Sequence, residues 1–560
     1  MSRKPCFITP LLLVAALALV GCGDGGGNGS AGTGPFALEK APADTLATMC
    51  PDGALAFIRI NNLKAIEGEI KGLAGAVNPA AAEEASILKN LGMMMGNPDL
   101  DGVAVDKPTG IALFMGGMGP MPAVIVPLSD KAAFEAKVGQ NPSVKVVGDY
   151  AAWAPDPSIL EGVKAGGEAS KLASSLMAAD VAIAVDMTVA QPLMAPMFGQ
   201  MDQIVSMIQQ QMPGPVGGMY GDMASSFKRI MNDAGELGIA ANLADGKLDI
   251  VYRYVAKDGS ETAKKIAAGI SEGKSLMGYI DDADFAAMEM RGSGEAMWDW
   301  FGSMYESMFA GADPEVLDML KKSFTLLDGI ALGISMDGGI SETFVMGVKD
   351  EKEYEKILDT MPKLFGSMMD SMKNMMPGGE ELPMDMSFSQ GETWEHAGVK
   401  VRSYSFKMAM KDMPGMPPEA SDAMKKMMTK LFGSESMDYH VAIVNGHAVG
   451  VVGAKARERT AALIEKVKSG KAGDAPAAFA AATKGFPGNT DMVLHLDFGS
   501  LLKMISDMPE IPPPLQQQFA NPPAGLGMSA YLANDGKAVS FGMRYDLKAV
   551  MTFIGQFVPK

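Results

Sequence analysis

The feature that most restricts the fold of this chain is an order of elements that recurs four times. Apolar, strand-like runs end at a polar or small residue and pass straight into a helical pattern. They are "ALAFIRINNLKAIEGEI" from Ala54, "ADVAIAVDMTVAQPL" from Ala179, "ADFAAMEMRGSGEAMWDWF" from Ala283 and "TDMVLHLDFGSLLKMI" from Thr490. Apolar residues alternate along each strand, and the residue at the switch is a helix-capping or turn type: Asn61 or Asn62, Asp186, Gly292 or Ser293, Asp497. An aspartate at such a junction invites a catalytic reading. Recurring at equivalent places, it reads as a cap.

Between these units lie hairpins with turn dipeptides that tolerate positive φ: Asp245-Gly246, Asp337-Gly338, Asn445-Gly446 and Asp535-Gly536. A fifth hairpin, "GIALFMGGMGPMPAVIVPL", has a longer Gly/Pro loop. Several are followed by helical segments such as "SDKAAFEAKV" and "KDEKEYEKIL". The order aligns in two halves, which we read as an internal duplication. The expected fold is α+β: two similar lobes, residues 41–275 and 276–560, each a largely antiparallel sheet with helices packed on one face. Insertions rich in Met, Gly and Pro (212–223, 361–386, 408–418) read as loops and surface helices. At 560 residues the chain exceeds one ordinary core, in keeping with two or more domains.

The N-terminus reads as an export signal. Arg3 and Lys4 precede the apolar run Leu11 to Val20, which is too short to span a bilayer as a helix. It ends "LVGC" at Cys22, which resembles the lipobox of bacterial lipoproteins. That resemblance covers residues 1 to about 34. It implies removal of residues 1–21, acylation of Cys22 and membrane attachment through it. Residues 22–40, rich in Gly and Ser, are expected to act as a flexible tether. Position 23 is Gly and lacks the Asp that retains enteric lipoproteins at the inner membrane, so the resemblance implies a cell-envelope protein of the outer membrane. Of three cysteines, Cys6 leaves with the signal and Cys22 is acylated, which leaves Cys50 without an intramolecular disulfide partner. The formal charge of −18 becomes −20 once Arg3 and Lys4 are removed, an acidic balance that argues against a nucleic-acid partner.

The motifs of common catalysis do not emerge. His396, His440, His447 and His495 form no metal-protease motif and no pair at helical spacing. "GISMDG" at Gly333 lacks the second glycine of a nucleophile elbow, and "GISEGKS" at Gly269 has three residues between its glycines where a phosphate loop needs four. No cofactor is implied. The reading leans away from an enzyme, with a hydrolase built from scattered residues as one rival.

Methionine is the compositional anomaly, 49 residues in 560. One use of thioethers is soft-metal binding, for which Met115, Met118 and Met121 in "MGGMGPM" and Met408, Met410, Met413 and Met416 in "MAMKDMPGM" are candidates. Their spacing resembles that of the clusters in bacterial copper-handling proteins. The other use is an adaptable apolar surface. Three helical stripes carry it, around Met304 and Met308, Met368 and Met372, and Met424 and Met428. The bland alternative is that methionine replaces leucine in helices covering a sheet. The expectation is a lipid-anchored, non-enzymatic envelope protein that binds a hydrophobic ligand or an envelope protein partner, with a Met-cluster copper binder as the other rival.

Overall fold

The computed structural model describes residues 39–77, 86–116, 119–166, 168–211, 215–244, 246–269, 273–281, 283–308, 314–336, 339–375, 384–410, 436–508 and 511–557. The first half begins with α1 (Thr45–Thr48), β1 (Ala56–Ile60), α2 (Leu63–Val77) and α3 (Ile87–Met95). The hairpin β2 (Thr109–Gly116) and β3 (Gly119–Pro127), α4 (Lys131–Val138), β4 (Val144–Val147) and β5 (Tyr150–Trp153) follow. Then come β6 (Val181–Asp186), α5 (Met187–Gln211), α6 (Pro215–Asp233), the hairpin β7 (Ala234–Ala244) and β8 (Lys247–Ala256), and α7 (Glu261–Ala268).

The second half starts with β9 (Ala286–Ser293), α8 (Gly294–Met308), α9 (Pro314–Thr325), the hairpin β10 (Leu327–Ser335) and β11 (Ser341–Val348), and α10 (Glu351–Met375). An inserted meander carries β12 (Met384–Gln390), β13 (Trp394–His396), β14 (Val399–Met410), β15 (Ser436–Val444) and β16 (His447–Gly453), followed by α11 (Ala456–Lys468) and α12 (Ala477–Ala482). It closes with β17 (Thr490–Asp497), α13 (Phe498–Ser506), α14 (Pro513–Ala520), the hairpin β18 (Gly527–Asn534) and β19 (Ala538–Asp546), and α15 (Leu547–Gly555).

The junction residues cap, as their chemistry requires. Asn62 accepts the amide of Ala65, Asp186 accepts the amide and hydroxyl of Thr188, Ser293 accepts Glu295, and Asp497 accepts Gly499 and Ser500, at 2.6–3.3 Å. The β15–β16 turn holds Asn445 and Gly446 at φ 50 and 76, the two left-handed residues that a twisted two-residue hairpin needs. The expected insertions are described only in part. Met361 to Met375 continues α10, and Met408 to Met410 end β14, where they pair with β12. The Pro362 position is accommodated inside α10.

Every strand pair is antiparallel. The order across the sheet is β4-β5-β3-β2-β1-β6-β7-β8-β19-β18-β17-β9-β10-β11-β16-β15-β14, with β12 and β13 both on the far edge of β14. The fold is thus α+β with one large antiparallel sheet. Reading outward from the centre, β8-β7-β6-β1-β2-β3-β5 and β19-β18-β17-β9-β10-β11-β16 make the same succession of pairings. The two spans expected as lobes meet edge to edge through β8 and β19. At that join Val251 lies opposite Gly542 and Tyr252 opposite Phe541. Val251 and Phe541 are each fifth after a turn glycine (Gly246, Gly536), and Tyr252 and Gly542 each sixth, so the register is two-fold symmetric about this point.

The join also carries a buried ion pair. Arg544 faces Asp249 across the two strands and holds both its carboxylate oxygens, at 2.7 and 3.1 Å. The same guanidinium donates to the carbonyls of Ala482 and Lys484 and lies over the Phe486 ring. Burial pushes the Asp249 carboxyl up, and the guanidinium pulls against that rise.

One face of the sheet is closed. Phe57, Ala182, Ala240, Val251, Tyr531, Val493, Ala287, Ala331, Val345 and Val449 lie in a continuous core with residues of α1, α11, α12 and the segment Leu276 to Ile280. Helices α2, α3, α4 and α10 cover the ends of the other face, where Ile58, Ile111 and Val124 at one end and Phe344, Tyr404 and Val441 at the other pack against them. The strand-linked helices therefore share a face, while α11 and α12 lie on the opposite one.

Candidate functional site

The half-open part of the molecule is the middle of that helix-side face. Residues directly opposite one another in an antiparallel ladder share a face. Following the register from β6 gives Ile183, Ile239, Tyr252, Phe541, Leu532, Met492, Met290, Ile330 and Met346, one residue per strand to β11. All nine are apolar or aromatic. None of the nine is fully buried, and Tyr252, beside the symmetric join, is 37% exposed. On the closed face of the same strands, Ala182, Ala240, Val251, Tyr531, Val493, Ala331 and Val345 are buried. Eight steps between strands of about 4.8 Å give the row a length of about 38 Å. At its centre the rings of Tyr252 and Phe541 stack with centroids 6.5 Å apart. Burial, then the neighbouring Tyr545, raises the Tyr252 hydroxyl above its usual range, so the ring enters this strip uncharged.

Helices flank the strip at both ends of the strands. At one end, α5 follows β6, α6 leads into β7, and α6 packs on α8 of the second half. At the other, α13, α14 and α15 gather, and α15 touches α2 of the first half. Apolar exposure concentrates on these helices. Of thirteen exposed large apolar side chains among the described residues, seven are on α5 and α6: Leu193, Met197, Ile204, Met207, Tyr220, Met223 and Phe227. Met93, Phe498, Ile554 and Phe557 expose theirs on α3, α13 and just beyond or within α15, where Phe519, Phe553 and Phe557 form an aromatic cluster.

The base of the α5–α6 hairpin is fixed by polar bonds. The Gln191 amide donates to the carbonyls of Met231, Asn232 and Ala234, Lys257 donates to Gln191 Oε1 and to Asn232, and the Tyr254 hydroxyl donates to Ile230. Asp233 accepts both the amide and the hydroxyl of Thr262 at the start of α7. An ion pair between Lys228 and Asp202 ties the two helices further out. The inner side packs Met187, Ala190 and Ala234 against Val185, Leu237 and Tyr254.

The sequence-based candidates fall in different places. Cys22, Met118, Met413, Met416, Met424 and Met428 lie outside the described residues. Met121 is opposite Phe114 and Met115 opposite Pro120, so the two described sulfurs of that cluster sit on opposite faces of the β2–β3 ladder and do not converge. The alternation of a strand separates what the linear spacing suggested was a cluster. Met408 and Met410 belong to β14, where the register sets them opposite Met386 and Met384. Met304 and Met308 are in α8, and Met368 and Met372 in α10. Their helices use neighbouring residues as core. Trp298, Tyr305 and Phe324 stack together, Met369 is buried, and Phe365 packs on Phe388 and Phe406.

Two Ser–His contacts bear on the hydrolase rival. Ser403 Oγ lies 2.8 Å from His440 Nδ1 and Ser529 Oγ 3.0 Å from His495 Nδ1, both as cross-strand neighbours. Ser403 and Ser529 are buried, so a substrate carbonyl has no approach to either hydroxyl. Cys50 is likewise buried, and its thiol is pushed up to about 11 by burial, against a hydrogen bond from Ser170. Among the described residues no group of three His, Cys, Asp or Glu side chains is placed to hold a metal ion.

No protein-family model matches the chain, and no curated protein is similar to it. Among solved structures, crystal forms III, IV and I of TP0453 align with 50%, 52% and 51% of this chain and with 98%, 98% and 99% of their own, at 10%, 11% and 9% identity. Their TM-scores of 0.23, 0.22 and 0.22 carry no weight for fold or function.

Proposed function

We propose that this is a non-enzymatic bacterial envelope protein, anchored by acylated Cys22 to the outer membrane, that holds a hydrophobic ligand on the helix-side face of its sheet. The observation that carries the reading is the middle of this row, where Tyr252, Phe541, Leu532, Met492 and Met290 are not fully buried, while Ile183, Ile330 and Met346 at its ends pack against the clusters under the covering helices and the opposite face of the same strands is closed. An apolar strip of this length is covered at a gain of about 25 cal/mol per Å² removed from water, with methionine and leucine able to mould to a flexible chain. The test is native mass spectrometry of the full protein, purified from its own host without detergent. A co-purified lipid-sized adduct that is lost in Tyr252→Glu is the expected result. A protein of bare polypeptide mass, apart from the acyl groups on Cys22, would refute ligand holding. An unmodified Cys22 would refute the anchor separately.

A further inference from the structure

Among the described residues, the α5–α6 hairpin carries seven of the thirteen exposed large apolar side chains, on an outward stripe that Gln200 interrupts. Leu193, Met197, Ile204 and Met207 fall within about 80° of arc at 100° per residue, and Tyr220, Met223 and Phe227 form the matching stripe on α6. Ile204 and Met207 are 52% and 51% exposed. The hairpin is also nearly neutral. Between residues 187 and 233 there are three acids (Asp202, Asp222, Asp233) and two bases (Lys228, Arg229), a net of −1, which leaves −17 of the chain's −18 elsewhere. Charges of either sign are sparse there, five in 47 residues, where the whole chain has 48 basic and 66 acidic residues in 560.

The position of the chain's entry selects the occupant. The Ala41 amide donates to the Leu176 carbonyl and Lys40 bridges to Met177, while the Lys40 ammonium acts on the carboxyl of Glu236 at the start of β7. Residue 40 therefore meets the body at the end of the strands from which α5 and α6 spring. From Cys22 to Glu39 are 17 residues (39 − 22), a reach of up to about 58 Å, longer than the roughly 38 Å of a 25-residue helix. An anchor at Cys22 thus leaves the whole hairpin free to lie along the membrane that holds it. Among the described residues no helix is long and apolar enough to cross a membrane, which fits an in-plane arrangement.

We infer that the outer stripe of the α5–α6 hairpin seats in the headgroup–acyl boundary of the phospholipid bilayer. This inference rests on the anchored reading for its geometry, yet it fails or stands on its own observable. The acyl anchor then restrains position while the hairpin sets orientation, with the sheet held at a fixed angle to the membrane.

The experiment uses the full mature protein in phosphatidylethanolamine and phosphatidylglycerol vesicles doped with a phospholipid that carries a diazirine in its acyl chain. After illumination, adducts are located by peptide mass spectrometry, and intact mass reports acylation of Cys22. Adducts on Leu193 to Met207 and Tyr220 to Phe227 are expected. They should fall by more than about tenfold in the triple variant Met197→Gln, Ile204→Gln, Met207→Gln, since three side chains leave the apolar phase together. Those positions are exposed, and an unchanged circular dichroism spectrum confirms the fold. Adducts confined to residues 22–38 overturn the inference while the anchor stands. Hairpin adducts with an unmodified Cys22 support the inference and remove the anchor. A dimer that dissociates in the triple variant, with no hairpin adducts, assigns the stripe to a second copy and overturns the bilayer.

Discussion

Removing one partner of the Asp249–Arg544 pair should weaken the molecule where its halves join. In Asp249→Ala the guanidinium of Arg544 stays buried, 9% exposed, and loses a bidentate carboxylate. Stranding one member of a buried pair costs about 3–5 kcal/mol. Here the carbonyls of Ala482 and Lys484 still accept from Arg544, which sets the expectation near the lower end, about 3 kcal/mol. Replacing both partners by apolar residues, Asp249→Leu with Arg544→Met, strands no charge and should cost less than about 1.5 kcal/mol. Guanidinium unfolding followed by near- and far-ultraviolet circular dichroism supplies the four midpoints of the double-mutant cycle. If Asp249→Ala shifts stability by under about 1 kcal/mol, or the double variant costs the sum of the singles, the buried pair is not what ties β8 to β19.

Three further outcomes are expected. Burial holds the imidazoles of His440 and His495 below the usual 6.5, with Asp438 and Asp497 opposing. The unfolded chain therefore binds more protons below that value, stability falls as pH drops through it, and His440→Asn with His495→Asn should flatten the denaturant midpoint between neutral pH and about pH 5. Gly542→Ala would drive its Cβ into the buried Tyr531 ring and should cost about 1–3 kcal/mol by thermal unfolding; an unchanged midpoint would show that the ring is not held there. The Cys50 thiol, at about 11 and buried, should stay unreactive toward a thiol reagent near neutral pH until denaturant is added, and rapid native labelling would show that the closed core opens there.

The elements were legible in the sequence because each is specified locally. Asp186 and Asp497 are separated from their partners by two or three residues, and a turn such as Asn445-Gly446 needs only its own backbone, so pattern and cap together determine strand and helix. The meeting of β8 with β19 could not be read the same way. Its residues are nearly three hundred apart, and an edge strand that alternates normally looks alike whether it ends a lobe or continues a sheet. The full length of α5, Met187–Gln211, was obscured by its punctuation. Pro192 and Pro196 stand inside α5, where each deletes only one backbone hydrogen bond, and the packing of Met187 and Ala190 on the sheet holds the helix regardless.

The candidate strip was hidden for a related reason. Along β19, Val539, Phe541 and Met543 alternate with Ser540, Gly542 and Arg544, and periodicity alone makes the first set the buried one. The structure reverses that assignment, since Ser540, Gly542 and Arg544 are buried and Val539, Phe541 and Met543 are half open. Small and paired polar residues suit the closed face because Tyr531 fills the space above Gly542 and Asp249 neutralises Arg544. The larger residues are left facing the side that helices cover only at the ends. Which face of a strand is covered depends on where distant helices land, so a two-residue period predicts that one side differs from the other without naming the side that faces water. On α8 and α10 the residues that pack inward are Trp298, Tyr305, Phe365 and Met369. The remaining exposed apolar surface is built from the helix-side ladder of the central strands and the outer side of α5 and α6, and no single window of sequence contains the row.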